Sequence, residues 1–266
     1  MISLTLTTLV SYLLLGVVAG MTGGLLGLGG GIVIVPALLF LFIYQGIQGD
    51  ILMHMAVATS LTTIVFTSIS ATWAHHRHGA VTWFVVRLLG PGIIIGAVAG
   101  AMIADQLRSD SLRTAFGLFE LLIALQIGFG IKPSAHRSLP GTAGMIASGG
   151  VIGTISSLLG IGGGTLTVPF LLWCNVNIRK AVATSSACGL PIAVAGTITM
   201  IITGWDHPRL PDGTSGYVYW PAAVMISIAS VCAAPLGARL THVLPVDILK
   251  RIFAVVLAVI GLRMLY

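Results

Sequence analysis

Two glycine runs carry the clearest chemical potential in the chain: Leu25 to Pro36 reads LLGLGGGIVIVP, and Leu158 to Pro169 reads LLGIGGGTLTVP. Consecutive residues without side chains interrupt a helix and free backbone N–H groups, which at membrane depth must find a partner or a water-lined cavity. A helix that restarts after such a break points its amides and the positive end of its dipole at whatever lies there, and an anion suits that place. Gly29, Gly30 and Gly31, with Gly162, Gly163 and Gly164, are therefore candidate substrate-binding residues. Close approach of neighbouring helices is the other reading of the same glycines. Pro36 and Pro169, each five residues past the last glycine of its run, fall a turn or more into the restarted helix and loosen it.

A second paired element places Thr59 and Ser60 against Thr184, Ser185 and Ser186. Such hydroxyls can cap the start of an apolar helix, or donate to a bound oxyanion, and the two roles are compatible. Glu120, within AFGLFELLIALQ, is the one carboxylate in the middle of an apolar span. An acid at that depth costs several kcal/mol, about 2.5 to 3.5 on insertion scales, which makes it a candidate for proton coupling. The other reading is an acid facing a helix partner or a subunit interface. His75, His76 and His78 flank Arg77, but three histidines within four residues of a helix cannot all reach one ion, so they read as a basic loop and no metal site is expected. Cys174, Cys188 and Cys232 lie in or beside apolar segments and read as free thiols acting as small hydrophobes.

The elements that position these residues follow from composition. Of 266 residues, 56% are hydrophobic and 8% charged, too little polar surface for a soluble fold. Many apolar runs approach the roughly 20 residues needed to cross about 30 Å of hydrocarbon, and no strand-like alternation is visible, so the expected fold is an all-α polytopic transmembrane bundle. The net charge of +6 comes from basic residues in short loops between spans, the pattern of cytoplasmic anchoring and not of a nucleic-acid face. The N-terminal MISLTLTTLVSYLLLGVVAG lacks a basic leader and reads as a first span, not a removable signal.

The chain repeats itself. A shift of 133 residues carries Gly29 onto Gly162, a shift of 125 carries Met55 to Ser60 onto Lys180 to Ser185, and a shift of 137 carries Gly79 to Trp83 onto Gly216 to Trp220 and continues to Phe116 and Phe253. Landmarks in one order indicate duplication. Residues 1–131 form one repeat and 142–266 the other, joined by the polar linker 132–141. Each half holds five apolar segments, near 4–22, 30–46, 55–74, 81–104 and 112–130, then 142–159, 163–175, 181–204, 217–240 and 248–265. Residues Trp205 to Tyr219 read as a longer external loop with interfacial aromatics. If the first two segments of each half form a hairpin, Lys and Arg divide nine against four across the membrane; if they form one crossing, the division is seven against six. The positive-inside bias favours the hairpin. An odd number of segments per half then inverts the second repeat, places both termini outside, and gives the architecture of an alternating-access carrier with its site at the midplane.

The GxGGG run leading into a proline, the AVATS element and the second GxGGG copy together resemble the TauE/SafE family of membrane proteins, the sulfite exporters, over nearly the whole chain. The resemblance implies a bacterial inner-membrane, multi-pass permease for sulfur-containing anions, among them sulfite, sulfoacetate and short organosulfonates. Carried over by position, it implies Gly29, Gly30, Gly31, Thr59, Ser60, Gly162, Gly163, Gly164, Thr184 and Ser185 as substrate-binding residues. The copies differ where Met55 stands against Lys180, so a charge there would make the site asymmetric. No HExxH, no GxSxG and no paired intramembrane aspartates are present, so the chain does not read as an intramembrane enzyme. A passive anion channel is the nearer alternative. No cofactor is implied; the expected partners are a small anion, the lipid bilayer and, as is common for such bundles, a second copy in a homodimer.

Overall fold

The computed structural model describes residues 6–26, 30–47, 49–129, 138–240 and 246–266, without side-chain detail at 25, 26, 238, 240 and 246–253. Ten helices account for most of the described residues: α1 (Leu6–Leu26), α2 (Gly31–Tyr44), α3 (Leu52–Arg77), α4 (Trp83–Gln106), α5 (Ser109–Gly128), α6 (Thr142–Leu159), α7 (Gly164–Trp173), α8 (Ile178–Thr203), α9 (Trp220–Leu240) and α10 (Val246–Leu265). Seven are long and apolar enough to cross a membrane. The all-α polytopic bundle is thus the observed architecture. With 14 and 10 residues, α2 and α7 reach only about 21 and 15 Å at 1.5 Å per residue, short of a bilayer core of about 30 Å.

Glycine decides which helices pair. In lipid, apolar faces gain nothing by leaving one another's solvent, so dispersion between closely approaching backbones must hold the spans together. Gly92, Gly96 and Gly100 form a stripe on α4 that lies against Ile146, Gly150 and Thr154 of α6, and their ascending order shows that the two helices run parallel. Gly16 and Gly20 of α1 meet Ile226, Ala229, Ser230 and Ala233 of α9, and Gly237 meets Met21, so this pair is parallel as well. Gly117 of α5 meets Gly261 of α10 and Gly128 meets Ala254, an antiparallel pair. The most buried spans, α3 and α8, stand in contact at the centre.

A Cβ on Gly96 would overlap the Gly150 carbonyl oxygen and come within 2.9 Å of Thr154 N, whereas Gly90, on the same helix, has nothing within 4 Å. Gly96→Ala is therefore expected to lower the thermal midpoint of the detergent-solubilised protein, at a cost of about 1 to 3 kcal/mol or more. Gly90→Ala should leave it unchanged or slightly raised through helix propensity. Equal midpoints for the two variants would remove the close-packing account of the α4 stripe.

The ends of the helices sort onto two faces. Asp50, in the turn after α2, pairs with Arg209 at 3.1 Å; Met53 N donates to Ser109 Oγ at 3.0 Å; and the His54 ring binds the Ala104 and Leu107 carbonyls, both at 3.0 Å. The end of α2, the start of α3, the α4–α5 junction and the 204–219 connection therefore share one face. On the opposite side the Thr82 N–H, ahead of α4, donates to Thr184 near the start of α8. Because α1 runs with α9 it begins on the first face, where α2 ends, so α1 and α2 form a hairpin. By the same reasoning α6 and α7 form one opening on the second face. All five aspartates with described side chains, Asp50, Asp105, Asp110, Asp206 and Asp212, lie on the first face. Arg77, Arg87, Arg179, Lys180 and Arg239 lie on the second and are exposed.

Trp205 is exposed, as an aromatic at the edge of the expected loop should be, but the far end of residues 205–219 departs from that expectation. Thr214–Ser215 and Val218–Tyr219 pair as a short antiparallel ladder, turning at Gly216 with φ 53°. The turn drives Tyr217 and Tyr219 inward instead of into the interface, at 4% and 1% exposure. Tyr217 donates to Asp105 Oδ1 at 2.9 Å. Burial, and then that hydrogen bond, push its hydroxyl above the ordinary phenol range, so it stays a donor at any working pH.

Candidate functional site

The two glycine breaks meet inside the bundle. Gly30 closes the first with φ 76°, a left-handed conformation that favours glycine, and its carbonyl accepts from Val33 N at 3.0 Å and Ile34 N at 3.1 Å to start α2. The next residue, Gly31, lies directly on the second break: a Cβ there would overlap the Gly160 carbonyl oxygen and sit 2.7 Å from Ile161 Cα and 2.8 Å from Ile64 Cδ1. Of the first run, Gly29 lies outside the described residues.

The second break is described throughout. Gly160 ends α6 in a left-handed turn with φ 68°, where Gly160 N donates to Ser157 O at 3.2 Å and Ile161 N to Ser156 O at 3.0 Å. Gly162 is also left-handed with φ 70°, while Gly163 has helical angles and accepts from Thr167 N at 3.0 Å. That bond is the first of α7, so the amides of Gly164, Thr165 and Leu166 have no partner within the helix and form its electropositive head. Gly163 itself lies against α8, where a Cβ would come within 2.9 Å of Gly189 N and 3.1 Å of Ser185 O.

The paired hydroxyls are placed around this meeting point, although not as helix caps. The N-cap of α3 is Ile51 and that of α8 is Asn177, whose Oδ1 accepts from Arg179 N. Thr59, Ser60, Thr184 and Ser185 lie inside α3 and α8 and are fully buried. Ser60 Oγ donates to the Gly160 carbonyl at 2.8 Å, so a hydroxyl of the first half holds the break of the second. Thr59 Oγ1 accepts from Tyr219 N and Thr184 Oγ1 from Thr82 N, each at 3.0 Å. Each threonine thus latches the backbone that leads into the fourth helix of one half or the other, α9 or α4, which the cap reading did not anticipate. Ser185 Oγ donates to Val182 O at 2.8 Å. Lys180 is exposed at the start of α8 and brings no charge to the breaks.

Glu120 is fully buried, with no hydrogen-bond partner on either carboxylate oxygen among the described residues. It faces the interior and not the outer surface of the chain. A pocket of about 310 Å³ opens on the aspartate-rich face among Asp50, Arg108, Asp110 and Arg113, apart from the breaks.

Several buried polar residues at the second break escaped the sequence reading: Ser156 and Ser157 in the last turn of α6, and Thr165 and Thr167 in α7. The signal was present, because the second run continues GTLTVP where the first continues GIVIVP, and SS at 156–157 stands where the first half has GG at 23–24.

A family profile described as sulfite exporter TauE/SafE matches residues 12–264. The chain is 35% identical over 260 residues to a probable membrane transporter protein of Haemophilus influenzae, covering 97% of this chain and 98% of that one. It is 31% identical to the probable membrane transporter protein YunE of Bacillus subtilis, covering 97% of each.

Proposed function

The chain belongs to the sulfite exporter TauE/SafE family and is a multi-pass membrane transporter, and from that premise we propose that it carries sulfur-containing anions such as sulfite, sulfoacetate or other short organosulfonates by alternating access. The observation that carries this reading is the meeting of the two breaks, Gly31 upon Gly160 and Ile161, in the interior of a bundle whose spans surround them. Amides and hydroxyls gather there without a buried carboxylate at the breaks themselves, which suits an oxyanion. Residues 1–131 and 142–266 act as inverted repeats. In support, α1 runs with α9 and α4 with α6, while α5 and α10 oppose each other, as a two-fold axis in the membrane plane would require. The basic face is cytoplasmic by the positive-inside rule, in an inner membrane.

Proton coupling falls to Glu120, where gaining or losing a proton breaks no hydrogen bond of the described structure. Reconstituted into proteoliposomes, the protein is expected to take up a labelled sulfonate with saturable kinetics, accelerated by unlabelled sulfonate on the opposite side. A linear, unsaturated flux without such acceleration would identify a passive channel and overturn the carrier reading.

A further inference from the structure

We propose that the substrate is seated on the second break alone, by a cluster of neutral hydroxyls, and that this seat narrows the class named above to singly charged oxyanions, hydrogensulfite and monosulfonates, and rejects doubly charged ones, sulfoacetate included. The inference rests on the anion-carrier reading above and deepens it. Ser156, Ser157 and Thr167 are fully buried and Thr165 is 2% exposed. None of their four hydroxyls has a hydrogen-bond partner among the described residues. Buried hydroxyls in helices ordinarily bond back to a carbonyl three or four residues earlier, as Thr62, Thr63, Thr67, Ser185 and Ser186 do. Eight buried hydroxyls among the described residues lack a partner: Thr72, Thr197, Thr203 and Ser227 are spread over α3, α8 and α9, while the other four gather at one break, two in the last turn of α6 and two near the head of α7. Orphaned hydroxyls gathered beside unpaired helix amides are donors awaiting an acceptor.

The first break has no such set. At the corresponding positions stand Gly23, Gly24, Ile32 and Ile34, the two isoleucines fully buried. The opposing helices differ in the same sense. Gly31 faces the Ile64 side chain, whereas Gly163 faces Gly189, which occupies the position of Ile64 in the second half. Ser68 Oγ lies 2.9 Å from where a Cβ on Gly189 would be. The first break therefore presents an apolar wall, while the orphaned donors gather at the second, which Ser60 and Ser68 of the first half also approach.

Charge sets the selectivity. Among the described residues no Lys or Arg is buried, so compensation at the break comes from hydroxyl dipoles and a helix head equivalent to about half an elementary charge. The cost of dehydrating an ion grows as the square of its charge, so a dianion needs roughly four times the compensation of a monoanion of the same size. Neutral donors suffice for the monoanion only.

The probes are ethanesulfonate, a fixed monoanion, and sulfate, a fixed dianion, tested for thermal stabilisation of the purified full chain and for competition with uptake in proteoliposomes. Ethanesulfonate is expected to bind at least tenfold more tightly than sulfate. Ser157→Ala and Thr165→Val should each weaken it tenfold or more, Thr165→Ser should restore it, and Ile32→Val at the apolar wall should leave it unchanged. Equal binding of both anions, or full ethanesulfonate binding in the folded Ser157→Ala and Thr165→Val variants, overturns the inference while leaving the carrier reading intact. If a variant fails to fold, the ratio of the two anions in the unaltered protein still decides the charge rule. Failure of both anions to bind or to be carried overturns the anion-carrier reading itself.

Discussion

Gly31→Ala is expected to abolish transport and to lower the thermal midpoint more than any equivalent change elsewhere in the two glycine runs. The added methyl would overlap the Gly160 carbonyl oxygen and press on Ile161 Cα at 2.7 Å, both backbone atoms of the opposing break. Side chains can rotate away from such an overlap; a backbone turn held by Ser60 Oγ at 2.8 Å cannot without moving α6 relative to α7. Overpacking of this kind costs about 1 to 3 kcal/mol where neighbours can yield, and more where they cannot. Gly30→Ala should rank next, because φ of 76° places it in the left-handed region, at about 1 to 2 kcal/mol. Gly163→Ala should be mildest, since its helical angles accept any residue and its nearest contact is 2.9 Å. Thermal unfolding in detergent with sulfonate flux measures the order. Full flux in Gly31→Ala would mean that the meeting of the breaks has no part in the transport cycle.

The second large effect is expected at Glu120. Glu120→Gln keeps shape and burial but cannot exchange a proton, so flux should lose its dependence on a pH gradient while sulfonate binding at fixed pH changes little. Packed against α5 are α10, α3 and α6. Their described titratable side chains are Arg263 on α10 and His54, His75, His76 and Arg77 on α3, while α6 has none. Those on α3 lie toward its ends, near one face or the other, and neither oxygen of Glu120 is bonded to any of them. A merely structural Glu120 would move the thermal midpoint and leave the pH profile of flux intact, and that result would remove it from the coupling mechanism.

Much of the bundle was legible because membrane burial writes itself into composition. The ten apolar segments correspond to the ten helices with ends shifted by a few residues, as at α3, which begins at Leu52 and not near 55. The hairpin of α1 and α2 was legible in the division of Lys and Arg, because insertion responds to loop charge before any tertiary contact exists. The inward turn of Tyr217 and Tyr219 was not, since a two-residue ladder leaves no periodicity to read.

The site divides in the same way. Local sequence by itself determined that helices break at the two glycine runs, because the missing side chains act on the residues that bear them. Only the tertiary structure decided that Gly31 rests on Gly160, that Ser60 reaches 100 residues along the chain to hold it, and that Thr59 and Thr184 serve as backbone latches, where capping was one of the two roles read from the sequence. These are contacts between halves, set by how closely glycine-striped helices approach. The four hydroxyls of the second break stood in plain view in the sequence, yet their lack of partners is a property of the packed interior, where a donor without an acceptor first becomes visible.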